Sequence, residues 1–390
     1  MSRIDELIAE HCPEGVEFLS LGELLDYSQP GKYLVKSTAY DTSFNTPVLT
    51  AGQTFILGYT NEVEGIYRAS SYEPVVIFDD FTTAFKWVDF DFKAKSSAMK
   101  MLTPKPGVNL RYVWFAMQTI SYSPQDHARQ WIGTYSQFRI PVPPLEVQRA
   151  IVEVLDAFSK LEAELEAELE ARKQQYEHYK SGAFELSSET TQVPLGELVD
   201  LLQGFAFKSS MYVESGIRIV RISDVQKGAM SNKDLKYYPE SAEDEIARYK
   251  LNTGDLVMSL SGSVGRVAML AESDLPAVLN QRVACIRPNT PRVITRYLFH
   301  YLNTNHFEQE AIASTSGGTV KNLSSRWLKE ILIPLPTIEA QERIVSILDK
   351  FDALVNDLSV GLPAELAARR QQYEYYRDKL LTFKELKVPA

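Results

Sequence analysis

Cysteine is nearly absent from this chain: Cys12 and Cys285 are the only two in 390 residues. That excludes a disulfide framework and a cysteine-rich zinc site. No apolar run approaches the ~20 residues that a membrane helix needs. The opening stretch, MSRIDELIAEHCPEG, carries acids where a signal peptide has its apolar core. Five histidines, at 11, 127, 178, 300 and 306, fall at no metal-binding spacing. These absences predict a cytoplasmic protein, away from membranes, with no required metal.

Catalytic signatures are missing too. There is no G-x-x-x-x-G-K-S/T phosphate loop and no G-x-G-x-x-G; SGSVGR at 261–266 and TSGGT at 315–319 read as turns. The Asn/Asp-Pro-Pro-aromatic tetrapeptide that amino-group methyltransferases use on a target base does not occur. Asp79 and Asp80 adjoin in IFDDFTT without the carboxylate–x–Lys companion of a nuclease. They read as a strand-end turn or as base-reading acids. The chain is expected to carry no catalysis and no cofactor of its own.

A basic excess is lacking as well, since the net charge is −10. Residues 1–145 carry −4, residues 146–186 carry −5, residues 187–338 carry 0 and residues 339–390 carry −1. Half of the excess therefore sits on one short segment, and local basic faces elsewhere stay open. The acidic total predicts weak DNA binding by the chain alone, because phosphate contacts supply most non-specific affinity.

What the chain does have is a repeat. IPVPPLEVQRAIVEVLDAF at 140–158 recurs as IPLPTIEAQERIVSILDKF at 333–351, with ten of nineteen positions identical. RKQQYEHY at 172–179 recurs as RRQQYEYY at 369–376, and LGEL opens both halves at 21–24 and 195–198. Self-similarity at this distance implies a duplicated domain rather than a short-period solenoid.

The repeated segments read as helices. Ile151, Leu155, Phe158, Leu161, Leu165, Leu169, Tyr176 and Tyr179 fall at three- and four-residue steps. Ile344, Leu348, Phe351, Leu358, Leu362, Leu366, Tyr373, Tyr376 and Leu380 do the same. A Pro-x-Pro stretch ends a strand before each helix. The narrow apolar stripe suggests a coiled-coil seam, in which the two helices pack antiparallel. Gly361-Leu362-Pro363 predicts a kink, or a break with a new helix starting at Pro363. LEAELEAELEAR at 161–172 is a tetrapeptide repeat; each added unit lengthens a helix by ~6 Å and rotates it by only ~40° past a full turn.

Between the helices lie two blocks of short strand-like runs. The first holds TPVLTAG, GQTFILGYT, EGIYRAS, EPVVIFDD, FKWVDFDF and SAMKMLT; the second holds GIRIVRISDV, GDLVMSLSG, GRVAML and QRVACIRP. Turn residues bound each run. Late helices are expected around 109–121 and 292–313. Both blocks read as α+β with a twisted, partly antiparallel sheet. Their turns are rich in groups suited to nucleic acid, since Arg and Lys suit guanine edges and phosphates while Asn and Gln suit adenine. The candidate DNA-binding residues in the first block are Lys32, Gln53, Tyr59, Asn61, Arg68, Thr82, Thr83, Lys86, Lys93, Lys95, Lys100, Arg129 and Gln130, with His127 beside them. In the second they are Lys208, Arg218, Arg221, Ser261, Ser263, Arg266, Asn280, Gln281, Arg282, Thr319, Lys321 and Asn322, with Thr315 nearby.

Two unlike blocks alternating with two near-identical helices resemble the specificity subunit of type I restriction–modification enzymes. The residues that carry the resemblance are the two IP-x-P helix starts, the RRQQYEYYRDKLL ending and the central tetrapeptide repeat. PVLTAGQTFILGYTNEVEGIY and FDDFTTAFKWVDFDFKAKSSAMKM resemble a target-recognition domain of the type IC group, in which threonine-containing tetrads are common where this chain reads LEAE. The resemblance implies an α+β fold with two similar target-recognition domains, at 1–145 and 187–338. A long antiparallel two-helix coiled coil, at 146–186 and 339–390, separates them with pseudo-twofold symmetry. It implies double-stranded DNA as a partner, with each domain reading half of an asymmetric split site. It also implies two docked modification subunits that carry S-adenosylmethionine and methylate adenine N6, and restriction subunits that bring ATP, Mg2+ and DNA translocation. The competing readings are a coiled-coil scaffold whose blocks bind proteins or glycans, and a self-sufficient methyltransferase, which the absent cofactor motif opposes.

Overall fold

The computed structural model describes residues 3–52, 54–185, 190–315, 321–357 and 359–386. The chain divides into two compact units, residues 1–164 with 366–390, and residues 165–365.

The first unit begins with a helix, Arg3–His11. Its strands are β1 Glu17–Ser20, β2 Leu25–Ser28, β3 Thr46–Leu49, β4 Ile56–Thr60, β5 Val75–Asp79, β6 Phe85–Val88, β7 Lys93–Ala94, β8 Met99–Pro104 and β9 Arg139–Val142. They form an antiparallel sheet in the order β2-β8-β5-β6, a second sheet β4-β3-β7 with a parallel β3–β7 pair, and a β1–β9 ribbon. Val75, Val76, Ile77 and Phe78 are all buried, so β5 is covered on both faces and reads as a continuous apolar run. The helix Leu110–Met117 starts where the Asn109 side chain accepts from the Tyr112 amide. The Tyr112 hydroxyl donates to the Pro141 carbonyl at 2.9 Å and ties that helix to β9. Near the end of the chain, Val16 N–H donates to Lys384 O and Leu386 N–H to Val16 O, both at 2.9 Å. Gly15 permits this: its φ is +109°, and a Cβ there would lie 2.3 Å from Lys384 O.

The second unit has β10 Thr191–Pro194, β11 Val199–Gln203, β12 Ile217–Val220, β13 Tyr237–Tyr238, β14 Leu256–Ser259, β15 Val267–Met269, β16 Ala277–Leu279, β17 Val283–Pro288 and β18 Leu332–Leu335. Their orders are β11-β17-β14-β15, β13-β12-β16 and β10-β18. Among the described residues, each order is that of the first unit with every strand number raised by nine. The parallel pair recurs as well, as β12–β16. Two blocks with little shared sequence therefore share one topology.

The repeated residues fasten each block to its helix. Leu21 and Leu195 each donate an amide, to Phe138 O and Ile331 O, at 2.9 Å in both cases. Gln148 and Gln341 turn back on Pro143 O at 2.8 Å and Pro336 O at 3.0 Å. Tyr297 donates to Pro334 O as Tyr112 does to Pro141 O. Arg111 pairs with Asp156 at 2.7 Å, and Arg296 with Asp349 at 2.6 Å.

The central helix runs over Leu145–Gly182, and the C-terminal segment forms two helices, Ile338–Asn356 and Leu362–Leu380. The break falls at the glycine–proline pair, as a helix interior cannot accept Pro363 without losing a hydrogen bond. Leu358 of the predicted stripe lies outside the described residues. In the first unit Phe158 stacks on Tyr376 at 5.4 Å, and Arg370 bonds Glu162 at 2.6 Å. Rising numbers on one helix meet falling numbers on the other, so the packing is antiparallel. In the second unit Phe351 stacks on Tyr179 at 5.2 Å and on Tyr176 at 6.1 Å. Phe158 and Phe351 are repeat equivalents, as are Tyr376 and Tyr179, so each unit pairs the Phe of one copy with the Tyr of the other.

Three expected elements differ. EGIYRAS forms no strand, only a bridge from Tyr67 to Phe92. The helix expected over 109–121 stops at Met117. The one expected over 292–313 divides into Thr295–Leu302 and Asn305–Ala313, because the Thr304 side chain accepts from Phe307 N–H and starts a new helix. No described helix is long and apolar enough to cross a membrane.

Candidate nucleic-acid interface

The turn joining β5 to β6 is built from below. Asp79 Oδ1 accepts the amides of Phe81 at 3.0 Å and Thr82 at 2.8 Å. Asp80 points inward: its carboxylate lies 3.0 Å from Lys100 Nζ, and the two side chains are 1% and 0% exposed. Asp80 also accepts Trp131 N–H at 2.8 Å through its side chain, and Gln130 N–H at 2.8 Å through its carbonyl. Gln130 is buried as well; it bonds Asp126, Ala128 O and the Tyr122 hydroxyl, and so shapes the loop before it. At the surface, Phe81 stacks on His127 at 4.9 Å, next to the exposed Thr82. The adjacent-acid reading thus resolves in favour of a strand-end turn.

The equivalent turn of the second unit joins β14 to β15. Its tip is tied by main-chain bonds: Gly262 N–H to Lys321 O at 3.1 Å, and Leu260 N–H to Arg282 O at 2.8 Å. Ser261 forms a bridge with Asn322. Ser263, Arg282, Lys321 and Asn322 are exposed around this tip, whereas Ser261 is buried. Arg266 reaches Gln226 at 2.8 Å. Asn280 and Gln281 lie in the turn between β16 and β17, pressed on Gly204, where a Cβ would fall 1.9 Å from Asn280 O.

Other predicted residues lie apart from these turns. On the smaller sheet of the first unit, Lys95 bonds the Tyr40 hydroxyl at 3.2 Å, Lys32 lies over the Tyr33 ring, and Tyr59 pairs across to Pro47. Asn61 is exposed just beyond β4 and Lys86 on β6. Arg68 is exposed but paired with Asp91. Arg129 is exposed at the loop edge, and Lys208 is exposed before a short turn of helix. Thr315 is half-buried. Gln53 and Thr319 lie outside the described residues.

Several expected contacts are turned inward instead. Lys93 is 1% exposed; its Nζ meets Glu62 at 2.8 Å and Glu64 O at 2.6 Å. Burial alone would raise the Glu62 carboxyl, but Lys93 and the amides of Ser37 and Lys36 outweigh it and hold that group at about 2. Lys100 is closed off by Asp80, and Arg218 by Asp274 and by Ser231 O. Arg221 is clamped between Asp224 and Asp234. Thr83 and Gln130 are also buried. A buried charge is tolerable only when paired, and its partner then keeps it from a second one. Breaking such a pair by removing one member typically costs about 3–5 kcal/mol. Phe81 is the residue that sequence reasoning passed over; its signal was an aromatic ring centred in a turn, between DD and TT.

The profile of the type I restriction modification DNA specificity domain matches residues 13–171 and again residues 187–368. The chain is 40% identical over 384 residues to the type I restriction enzyme EcoR124I/EcoR124II specificity subunit of Escherichia coli, covering 94% of each. The chain belongs to this family. A further member, the MjaVIII specificity subunit of Methanocaldococcus jannaschii, is 27% identical over 241 residues, which is 57% of each chain. The solved S subunit of M. genitalium superposes with a TM-score of 0.60 at 14% identity, over 94% of this chain and 96% of that one. A chain solved in work on assembly of the type I R-M system gives 0.56 at 20% identity, over 95% and 98%. Those two show the specificity-subunit fold in this sequence.

Proposed function

We propose that this type I specificity chain sets the DNA target of a restriction–modification complex in the cytoplasm and performs no catalysis itself. Each block, 1–145 and 187–338, is a target-recognition domain that reads half of an asymmetric split site. The segments 146–186 and 339–390, through the helices within them, fix the distance between the halves and dock two modification subunits. S-adenosylmethionine belongs to those subunits, and ATP with Mg2+ to the restriction subunits. The observation that carries this reading is one topology built twice with different residues at equivalent turns. Two readers of the same kind then face two different sequences. The length is suitable: the 38-residue central helix spans roughly 57 Å at 1.5 Å per residue, against ~34 Å for a turn of B-DNA. The acidic total is also consistent, because partner subunits then supply the phosphate contacts.

The test is a block exchange. Residues 187–332 are replaced by the same block of another family member, and the chain is expressed with its modification subunits in a host whose methylome is sequenced. One half of the methylated motif changes and the other stays. A motif altered in both halves, or no sequence-dependent methylation by the native complex, overturns the proposal.

A further inference from the structure

The β5–β6 turn of the first unit is more firmly fixed than a connecting turn needs to be. A hairpin tip has only to reverse the chain, and exposed polar residues suffice for that. Here an ion pair with both members almost wholly buried stands beneath it, Asp80 with Lys100 at 3.0 Å. Two apolar side chains of similar volume would support the turn as well or better, so stability alone does not explain the pair. What a paired charge adds over an apolar contact is a defined position. Asp80 uses that position to hold the turn against a second segment, through Trp131 N–H and Gln130 N–H.

Above this anchor the backbone is strained. Thr83 has φ +59°, a left-handed conformation that a β-branched residue rarely adopts. It is held there by its amide bond to Asp79 O at 2.9 Å. Strain of this kind persists where the surroundings over-determine it, and it gathers at binding sites. The counterpart turn of the second unit is flanked by another strained non-glycine residue, Arg282, with φ +64°, whose carbonyl holds that tip.

What the first tip presents fits a base rather than a phosphate. Asp80 faces inward and Asp79 Oδ1 is occupied by two amides, so the carboxylates are drawn back from the tip. The outward groups are the exposed Thr82, whose hydroxyl accepts Ala84 N–H at 3.4 Å and keeps its own proton to donate, and the flat Phe81–His127 pair. A threonine hydroxyl can bond either kind of base edge, its methyl suits thymine, and an aromatic face offers apolar contact. At the equivalent position the second unit carries Ser-Gly-Ser, a different surface in the same topological place.

We infer that the β5–β6 turn, through Phe81 and Thr82, discriminates bases in the half-site of the first block, with Lys100–Asp80 as its positioning pair. The inference rests on the reading of the chain as a DNA-specificity subunit.

The experiment uses the full chain with its modification subunits and compares the native chain with Thr82→Ala and Phe81→Ala. Thr82 is exposed and Phe81 is half-buried in the turn, with neither in the core, so folding survives the change; melting temperature and complex formation verify this. Methylome sequencing reads the motif, and the block exchange assigns each half-site to its block. The expected result is relaxed choice at one or two positions of the first block's half-site, with discrimination falling by about fivefold or more, and an unchanged second half-site. An unchanged motif in both variants overturns the inference. Methylation that weakens equally at every site, with a lowered melting temperature, overturns it too, because that is the signature of a structural role. If the native complex itself methylates no split motif, the function proposed above fails, and that outcome is distinct from either variant result.

Discussion

His300 is a buried residue in the place that Phe115 holds in the first unit, four positions after the arginine of the shared Arg-Tyr pair. Its Nε2 lies 2.6 Å from Asp349 on the C-terminal helix, and Arg296 and Asp352 lie close by. Burial lowers the imidazole below its ordinary value and outweighs the pull of Asp349 in the other direction. The sign follows from linkage. Between the folded and unfolded values the unfolded chain binds more protons, so stability rises with pH. The contribution is whole above about 6.5, the unfolded value, and declines as pH falls below it. The expected outcome is a melting temperature that drops on going from pH 7.5 to 5.5, with a smaller drop for His300→Phe. Equal drops in the two proteins would show that His300 does not titrate as argued. Lys100 makes the complementary point about legibility. Between Met99 and Met101 it reads as the solvent-facing member of an alternating strand. Yet β8 lies between β2 and β5 with cover on both faces, so alternation does not report exposure there.

Among elements, the central helix is the one with an adjustable length. Leu165 and Leu169 belong to its LEAE repeat, and Leu169 packs in the second unit's helix cluster with Tyr176, Leu348 and Val355. Deleting Leu165–Glu168 removes ~6 Å and turns what remains by ~40° short of register. The seam is nearly kept while the reach shrinks. Two base pairs rise roughly 7 Å at 3.4 Å each, so the methylated motif should lose about two base pairs of spacer while both half-sites stay the same. A motif with unchanged spacing after the deletion would show that the helix does not set it. Helix type and the Gly361–Pro363 break were legible because apolar spacing and proline chemistry act locally. The division at Thr304 was not. A capping side chain competes with helix continuation, and tertiary packing of Phe307 and Ala311 decides which prevails.

At the scale of the whole molecule, charge sets how the chain meets DNA. Acids outnumber Lys and Arg by 51 to 41, and of the predicted contacts Lys93, Lys100 and Arg218 are enclosed by acids and turned away from phosphates. The purified chain is therefore expected to bind random duplex DNA no more tightly than the 10⁻⁴–10⁻⁶ M range typical of non-specific contacts at physiological salt. Addition of modification subunits should raise affinity and steepen its salt dependence. Anisotropy titrations across a salt series measure both. Tight binding by the isolated chain, with a steep salt slope, would contradict this assignment of phosphate contacts to the partners.

The duplication, the helices and the absence of recognised catalytic motifs were determined by sequence alone, because each is written in neighbouring residues or in near-identical words such as IPVP and IPLP. Tertiary structure decided which strands pair, that two unlike blocks share one strand order, and which cations face outward. Those outcomes depend on residues far apart in the chain, as with Asp26 opposite Thr103 or Asp80 beside Trp131. Local periodicity carries no record of such partners, and burial of a charge is settled only when its distant counter-ion arrives.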